Sequence, residues 1–219
     1  MSNEQGNAAL YLLWLLSIVA IIFVLTMNIV KVYIVKEHAN LAVEQAALAG
    51  TSVLLKKTKE GVEQFDTRST LDPLYIADRA LQLTIDLKTV GELIDEKKHE
   101  YMSRGMDEAD AYIKAANRIL PERINRHPYL KDELKRTLGS SSSAVFYIVS
   151  ATVLDMIDEN NGEIDDTEIE LSNHYWRLEV KSTVRFKSIS DKKFITNFIE
   201  DIPQKGYGPT LSYLENVYS

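Results

Sequence analysis

The sequence predicts an α+β chain: a long N-terminal transmembrane spike helix, a helical middle and a small C-terminal antiparallel β-sheet. Three observations predict it. No charged residue stands between Glu4 and Lys31. Helix-forming composition then continues with no proline before Pro73. Period-two alternation of apolar and polar residues begins only after Asp165.

The uncharged run 5–30 comprises about 26 residues, or about 39 Å of helix at 1.5 Å per residue, whereas about 20 apolar residues already cross a bilayer. A secretory signal has a basic start, an apolar stretch of about 7–15 residues and a small-residue cleavage site. Here MSNEQ carries no Lys or Arg, the run is longer, and it ends in Thr-Met-Asn-Ile-Val-Lys. It therefore reads as a retained span. Tyr11 and Trp14 near one end and Tyr33 just past the other suit aromatic anchoring at the two interfaces.

Beyond the span the helical pattern continues, and one helix is expected over about 8–60, roughly 80 Å long. Gly50 and Gly61 are its expected weak points. Ala39, Ala42, Ala46 and Ala49 recur at spacings of three and four and form a stripe of small side chains. Small residues let another backbone approach closely. The stripe has two readings, a helix-packing interface with a neighbouring subunit or a packing face within the chain's own domain. The expected division is 1–30 tail and span, 31–65 continuation of the helix, and 66–219 a folded α+β domain.

Residues 66–73 read as a loop, with Asp72 as N-cap and Pro73 at the first helical position. Leu74, Ala77, Leu81, Thr84, Leu87, Val90 and Ile94 then continue one helical stripe toward Lys98. A break is expected at Ser103-Arg104-Gly105, and a helix from Asp107 to Leu120 that Pro121 interrupts. Pro128 opens a short helix that Gly139 stops. After a serine-rich turn, 144–159 keep helical spacing despite many β-branched residues, with Asn160-Asn161-Gly162 as C-cap. HYWRLEVKSTVRFKS reads as a strand, with Trp176, Leu178, Val180, Ser182, Val184 and Phe186 on one face. FITNFIEDIP and GPTLSYLENVY are expected to add further strands.

Little in the chain points to chemistry. The net charge of −7 argues against nucleic acid as a partner. The absence of cysteine removes disulfides, zinc–cysteine sites and thiol nucleophiles. The serine run follows a glycine but forms no G-x-S-x-G elbow, and neither phosphate-binding glycine motif is present. His38, His99, His127 and His174 are far apart in sequence and read as surface or interfacial residues. The stretch IDENNGEIDDTE over 157–168 has calcium-loop texture. With Gly162 at position 6, however, the first ligand position falls on Ile157, which cannot ligate. It reads first as an acidic turn between helix and strand, with calcium as the alternative. No enzyme, cofactor or small-molecule substrate is expected.

EQGNAALYLLW with its apolar helix, followed by HANLAVEQAALAGTSVL, resembles the N-terminus of Tad-type (tight adherence) pilus-assembly proteins, the TadE/TadG-like group. Over about the first 55 residues, the Gly-Asn start of the span and the Ala-rich segment Glu44-Gln45-Ala46-Ala47-Leu48-Ala49-Gly50 carry the likeness. HYWRLEVKSTVRFKS is similar to the strand that follows the long helices in such proteins. The resemblance implies a membrane-anchored, pilin-like structural protein with its C-terminal domain outside the cell. Its implied partners are membrane lipid and other pilus-assembly or pilin-like subunits, met through the long helix. Tyr11 stands where processed pilins carry a glutamate, which favours an unprocessed anchor that keeps Met1 or Ser2 at its start. Lys31, Lys36, Lys56, Lys57 and Lys59, all C-terminal to the span, favour the opposite orientation by the positive-inside rule. They support an alternative, a single-pass scaffold or regulator with a cytoplasmic protein-binding domain.

Overall fold

The computed structural model describes residues 4–68, 72–139, 143–160, 163–185 and 201–219. Among them it has seven helices and one three-stranded sheet, so the predicted α+β class and the order of its parts are correct. Helix α1, Glu4–Thr67, is a single helix of 64 residues, about 96 Å long. It runs past Gly61 and ends seven residues later than expected. Gly61 does not weaken it because α5 packs against it there. A Cβ on Gly61 would lie 2.5 Å from Thr137 Oγ1 and 3.0 Å from Leu134.

The second half of α1 is the central helix of the folded part. Ala42, Val43, Ala46, Ala47, Leu54 and Phe65 are buried along it. Around it lie α3 (Val90–Ser103), α5 (Pro128–Leu138), α6 (Ala144–Glu159) and two strands of the sheet. Strands β1 (Glu163–Ser172), β2 (Arg177–Arg185) and β3 (Asp201–Tyr207) form an antiparallel meander in the order β1-β2-β3. Register pairs Leu171 with Leu178 and Ile169 with Val180, then Val180 with Gly206. Leu178, Val180 and Ser182 face the core, as their alternation predicts. Trp176 is half-buried against the same core, but from the β1–β2 turn rather than the strand, at φ 49° and stacked on Tyr218. Phe186 lies outside the described residues.

Two glycines let the sheet reach α1. A Cβ on Gly206 would stand 2.1 Å from the Val43 carbonyl oxygen, so β3 crosses α1 with backbone against backbone. A Cβ on Gly208 would stand 2.2 Å from Thr51 Oγ1. Pro203 is tolerated because β3 is an edge strand among the described residues.

Three details differ from the sequence reading. The stripe from Leu74 to Ile94 is split into α2 (Pro73–Asp86) and α3, because Leu87 adopts a left-handed conformation (φ 57°, ψ 13°). Thr89 then starts α3 with a reciprocal capping box to Glu92. Pro121 does not interrupt its helix. α4 runs Glu108–Arg126 through it, and burial of Leu120 and Ile124 on either side compensates for the missing N–H. GPTLSYLENVY forms no strand but a loop and a short helix, α7 (Tyr213–Tyr218), which buries Tyr213, Leu214 and Val217. The first part of FITNFIEDIP lies outside the described residues, and β3 begins at its Asp201.

The remaining caps follow local sequence. Asp72 accepts from Leu74 N–H at the start of α2 and Asp107 caps α4. Gly139 ends α5 at φ 65°, and Ser143 caps α6. The Tyr213 hydroxyl, fully buried, lies 2.7 Å from Thr58 Oγ1 on α1. Burial pushes its phenol well above the usual tyrosine range.

Candidate functional site

The residues picked out by sequence fall on two halves of α1, and the two halves have different surroundings. From Leu10 to Val30 the helix carries a jacket of exposed Leu, Ile, Val, Phe and Trp side chains, interrupted by the buried Asn28. This stretch is long and apolar enough to cross a membrane, and none of its apolar window is buried in the domain. Tyr11, Trp14 and Tyr33 are exposed at 72%, 73% and 69%.

The polar side chains within this jacket are turned back onto the helix. Ser17 Oγ donates to Leu13 O at 2.8 Å, Thr26 Oγ1 to Ile22 O at 2.9 Å and Asn28 Nδ2 to Val24 O at 2.9 Å. Each uses a carbonyl four residues back. A hydroxyl or amide satisfied in this way adds little cost in an apolar surrounding. Sequence reasoning counted these residues only as uncharged.

The small stripe lies on the other half. Ala39, Ala42 and Ala46 are buried and Ala49 is half-buried. The neighbouring residues Val43, Ala47 and Gly50 touch this chain's own β3, β2 and α6. A Cβ on Gly50, for instance, would lie 2.5 Å from Leu178 and 2.7 Å from Val153. Of the two readings of the stripe, the geometry realises packing within the chain.

A second surface was not singled out from sequence. In α2 the residues turned inward are polar. Asp86 receives a bidentate pair from Arg123 at 2.5 and 2.8 Å. Asp78 Oδ1 lies 2.7 Å from His127 Nδ1, and Asp78 Oδ2 accepts from Tyr129 N–H at 3.3 Å. The Tyr75 hydroxyl reaches the carbonyls of Gln64 and Phe65 at the end of α1, and Gln82 Nε2 donates to Lys88 O. The apolar residues Leu74, Leu81 and Leu87, expected to continue a core stripe, are turned out to solvent. The available signal was the second helical stripe at 75, 78, 82 and 86, of which Asp78 and Asp86 have partners far along the chain.

The remaining chemistry is structural. His127 is fully buried rather than on the surface, and with Asp78 it ties α2 to the α4–α5 junction. His38, His99 and His174 are exposed. Asn161 and Gly162 of the acidic turn lie outside the described residues. Ile157 beside them is in the core, and Glu168 pairs with Lys181 at 2.7 Å. Among the described residues no group of three metal-ligating side chains converges.

A cleft of about 540 Å³ between the end of α1, α2 and α3 is lined by Lys59, Glu63, Asp66, Arg79, Glu92 and Tyr112, among others. Asp66 accepts from Val90 N–H at 3.1 Å and Gly91 N–H at 2.7 Å at the start of α3. Burial nevertheless holds its carboxyl above the usual range, outweighing those two hydrogen bonds. Burial also pushes the Tyr112 phenol up to about 12. No family model, no curated protein and no solved structure matches this chain significantly.

Proposed function

We propose that this protein is a single-pass, membrane-anchored structural protein with an extracytoplasmic domain. In this reading it assists assembly or decoration of a Tad/Flp-type surface pilus or a related secretion apparatus. The observation that carries the anchoring is the continuity of α1. One unbroken helix is apolar and, Asn28 apart, exposed from Leu10 to Val30, and becomes the central helix of the domain beyond Ala39. A domain held in this way is rigidly coupled to its anchor, because no linker separates the two. The resemblance of the first 55 residues to the TadE/TadG-like group supports the pilus context. A structural rather than catalytic role is supported by what the polar side chains do: Asp78, His127, Asp86 and Arg123 hold helices together.

The alternative, a scaffold with a cytoplasmic domain, is favoured by the lysines that follow the span. One experiment separates the two. The natural chain has no cysteine, and Glu108 is exposed on α4, so E108C supplies a single label site. A membrane-impermeant maleimide should label E108C in intact cells as fully as in lysed ones. Labelling only after lysis would place the domain inside and retire the pilus reading. Recovery of the chain in the soluble fraction would retire the anchor itself.

A further inference from the structure

We propose that the outer face of α2 is a self-association surface through which two copies of this chain pair about a two-fold axis. The starting observation is that α2 is inside out. Its two aspartates and its one arginine lie toward the domain, where Asp78 and Asp86 are paired. Its outer face exposes Leu74, Ile76, Leu81, Leu83, Ile85 and Leu87. A soluble surface helix arranges these stripes the other way round.

Leu87 is a second, independent observation. It holds the left-handed conformation at the end of α2, where glycine is the usual residue, and it is 84% exposed. Left-handed backbone costs a side-chain-bearing residue roughly 1–2 kcal/mol. The cap hydrogen bond from Leu87 N–H to Leu83 O is backbone only, and the exposed side chain itself contributes little to the monomer. An exposed leucine at a strained position makes sense if its side chain is used by a partner.

Three features fit a second copy as that partner. The face carries no charged residue, so two copies meet without like-charge repulsion. Its centre is small: Ala77, Ala80 and Thr84 are flanked by the larger Leu and Ile side chains, which lets two helix axes approach closely. The Thr84 hydroxyl already donates to Ala80 O at 2.8 Å, so burying it leaves no donor unpaired. The area also fits. The six large side chains expose roughly 600 Å², the upper end of what a typical monomer leaves uncovered. Burying all of it on two copies would reach roughly 1,200 Å², the lower edge of stable interfaces.

A bilayer fits less well. Interfacial helices carry lysine and arginine on the polar face, whereas α2 has one arginine there, turned toward the domain. The far end of α1, where Tyr75 is tied, lies about 55 Å along the helix from Val30. That last argument rests on the anchored reading above; the others do not.

The test uses the full chain in its native membranes and again in detergent. T84C and A77C, each the single cysteine, are oxidised with copper phenanthroline; T152C, half-exposed on the outer side of α6, is the control. Both α2 variants should give a band at twice the 24.9 kDa chain mass, at least tenfold stronger than T152C. Adding L81E should cut that band at least tenfold while leaving the circular dichroism spectrum and melting temperature unchanged. A monomer at all three sites, or equal bands at all three, overturns the proposal. So does a band of another mass that contains a different protein. Protection of the T84C thiol from a water-soluble maleimide with no dimer band would assign the face to lipid and overturn it as well. Membrane fractionation reads the anchor separately. A membrane-bound monomer overturns only the pairing, and a soluble chain that still cross-links overturns only the anchor.

Discussion

Between Leu10 and Val30, α1 carries mostly bulky, exposed side chains, with Asn28 buried among them, whereas between Ala39 and Phe65 most of its inner positions are Ala, Gly, Val and Thr, joined by Leu54 and Phe65, against strands and helices. Backbone geometry and hydrogen bonding are the same along both stretches. They differ in what must fit around them. Lipid chains adapt to any apolar relief, so leucine, isoleucine and phenylalanine serve there. A backbone crossing at the distance of β3 leaves room for almost nothing, which is why Val43 O meets Gly206 and not a larger residue. Side-chain volume separates the two halves more clearly than hydrophobicity does.

The comparison is broken most severely by putting charge into the bare half. Leu16→Arg with Val19→Arg should cost about 5–7 kcal/mol of insertion, at about 2.5–3.5 kcal/mol per arginine near a bilayer centre. Alkaline carbonate extraction should then release the chain, while thermal unfolding of the domain stays where it was. A melting temperature that falls with both substitutions would mean that the bare half also packs on the domain.

In the packed half the expected effect is smaller and appears in stability instead. Gly206→Ala places a methyl 2.1 Å from a backbone oxygen, so β3 must move away from α1. Overpacking of this kind costs about 3 kcal/mol. Urea unfolding of the full chain in detergent would read it, and a loss under 1 kcal/mol would show that β3 shifts freely. Ala46→Leu sharpens the distinction further. Ala46 is fully buried within the chain, so the added volume should cost about 2 kcal/mol in the isolated protein. If the stripe served only a neighbouring subunit, the isolated chain would unfold at the same urea concentration as before.

The smallest expected effect concerns the far end of α1. Burial raises the Asp66 carboxyl above its ordinary value of 3.8. The ionised form therefore opposes folding. Its contribution is fully favourable below the unfolded value and is lost as pH rises through the raised folded value. Asp66→Asn abolishes that titration. The variant's stability relative to the natural chain should thus rise as the pH climbs above the ordinary carboxyl value of 3.8. A relative stability that falls as the pH climbs would show the two amide hydrogen bonds outweighing burial.

Much of the fold was legible because its signals are local. The uncharged run, the Asp72-Pro73 helix start, the Gly139 stop and the alternation through Leu178, Val180 and Ser182 each depend on a handful of adjacent residues. The misreadings share the opposite property. Pro121 looked like a stop, but Leu120 and Ile124 are held by contacts remote in sequence. Tyr213 looked like part of a strand, but its hydroxyl is fixed by Thr58, 155 residues earlier. The small stripe was legible as a close-packing surface, but not what it packs on.

By itself the sequence determined that α1 is one helix with an apolar end, because propensity and hydropathy act over a few turns. It also determined that α2 is helical, with one apolar and one polar stripe. Only the tertiary structure decided which stripe faces inward. The ion pair from Asp86 to Arg123 spans 37 positions, and the contact from Asp78 to His127 spans 49. Both stripes have helical spacing, so periodicity cannot rank them. The partners that turn the polar one inward meet it only once α1, α4 and α5 have packed.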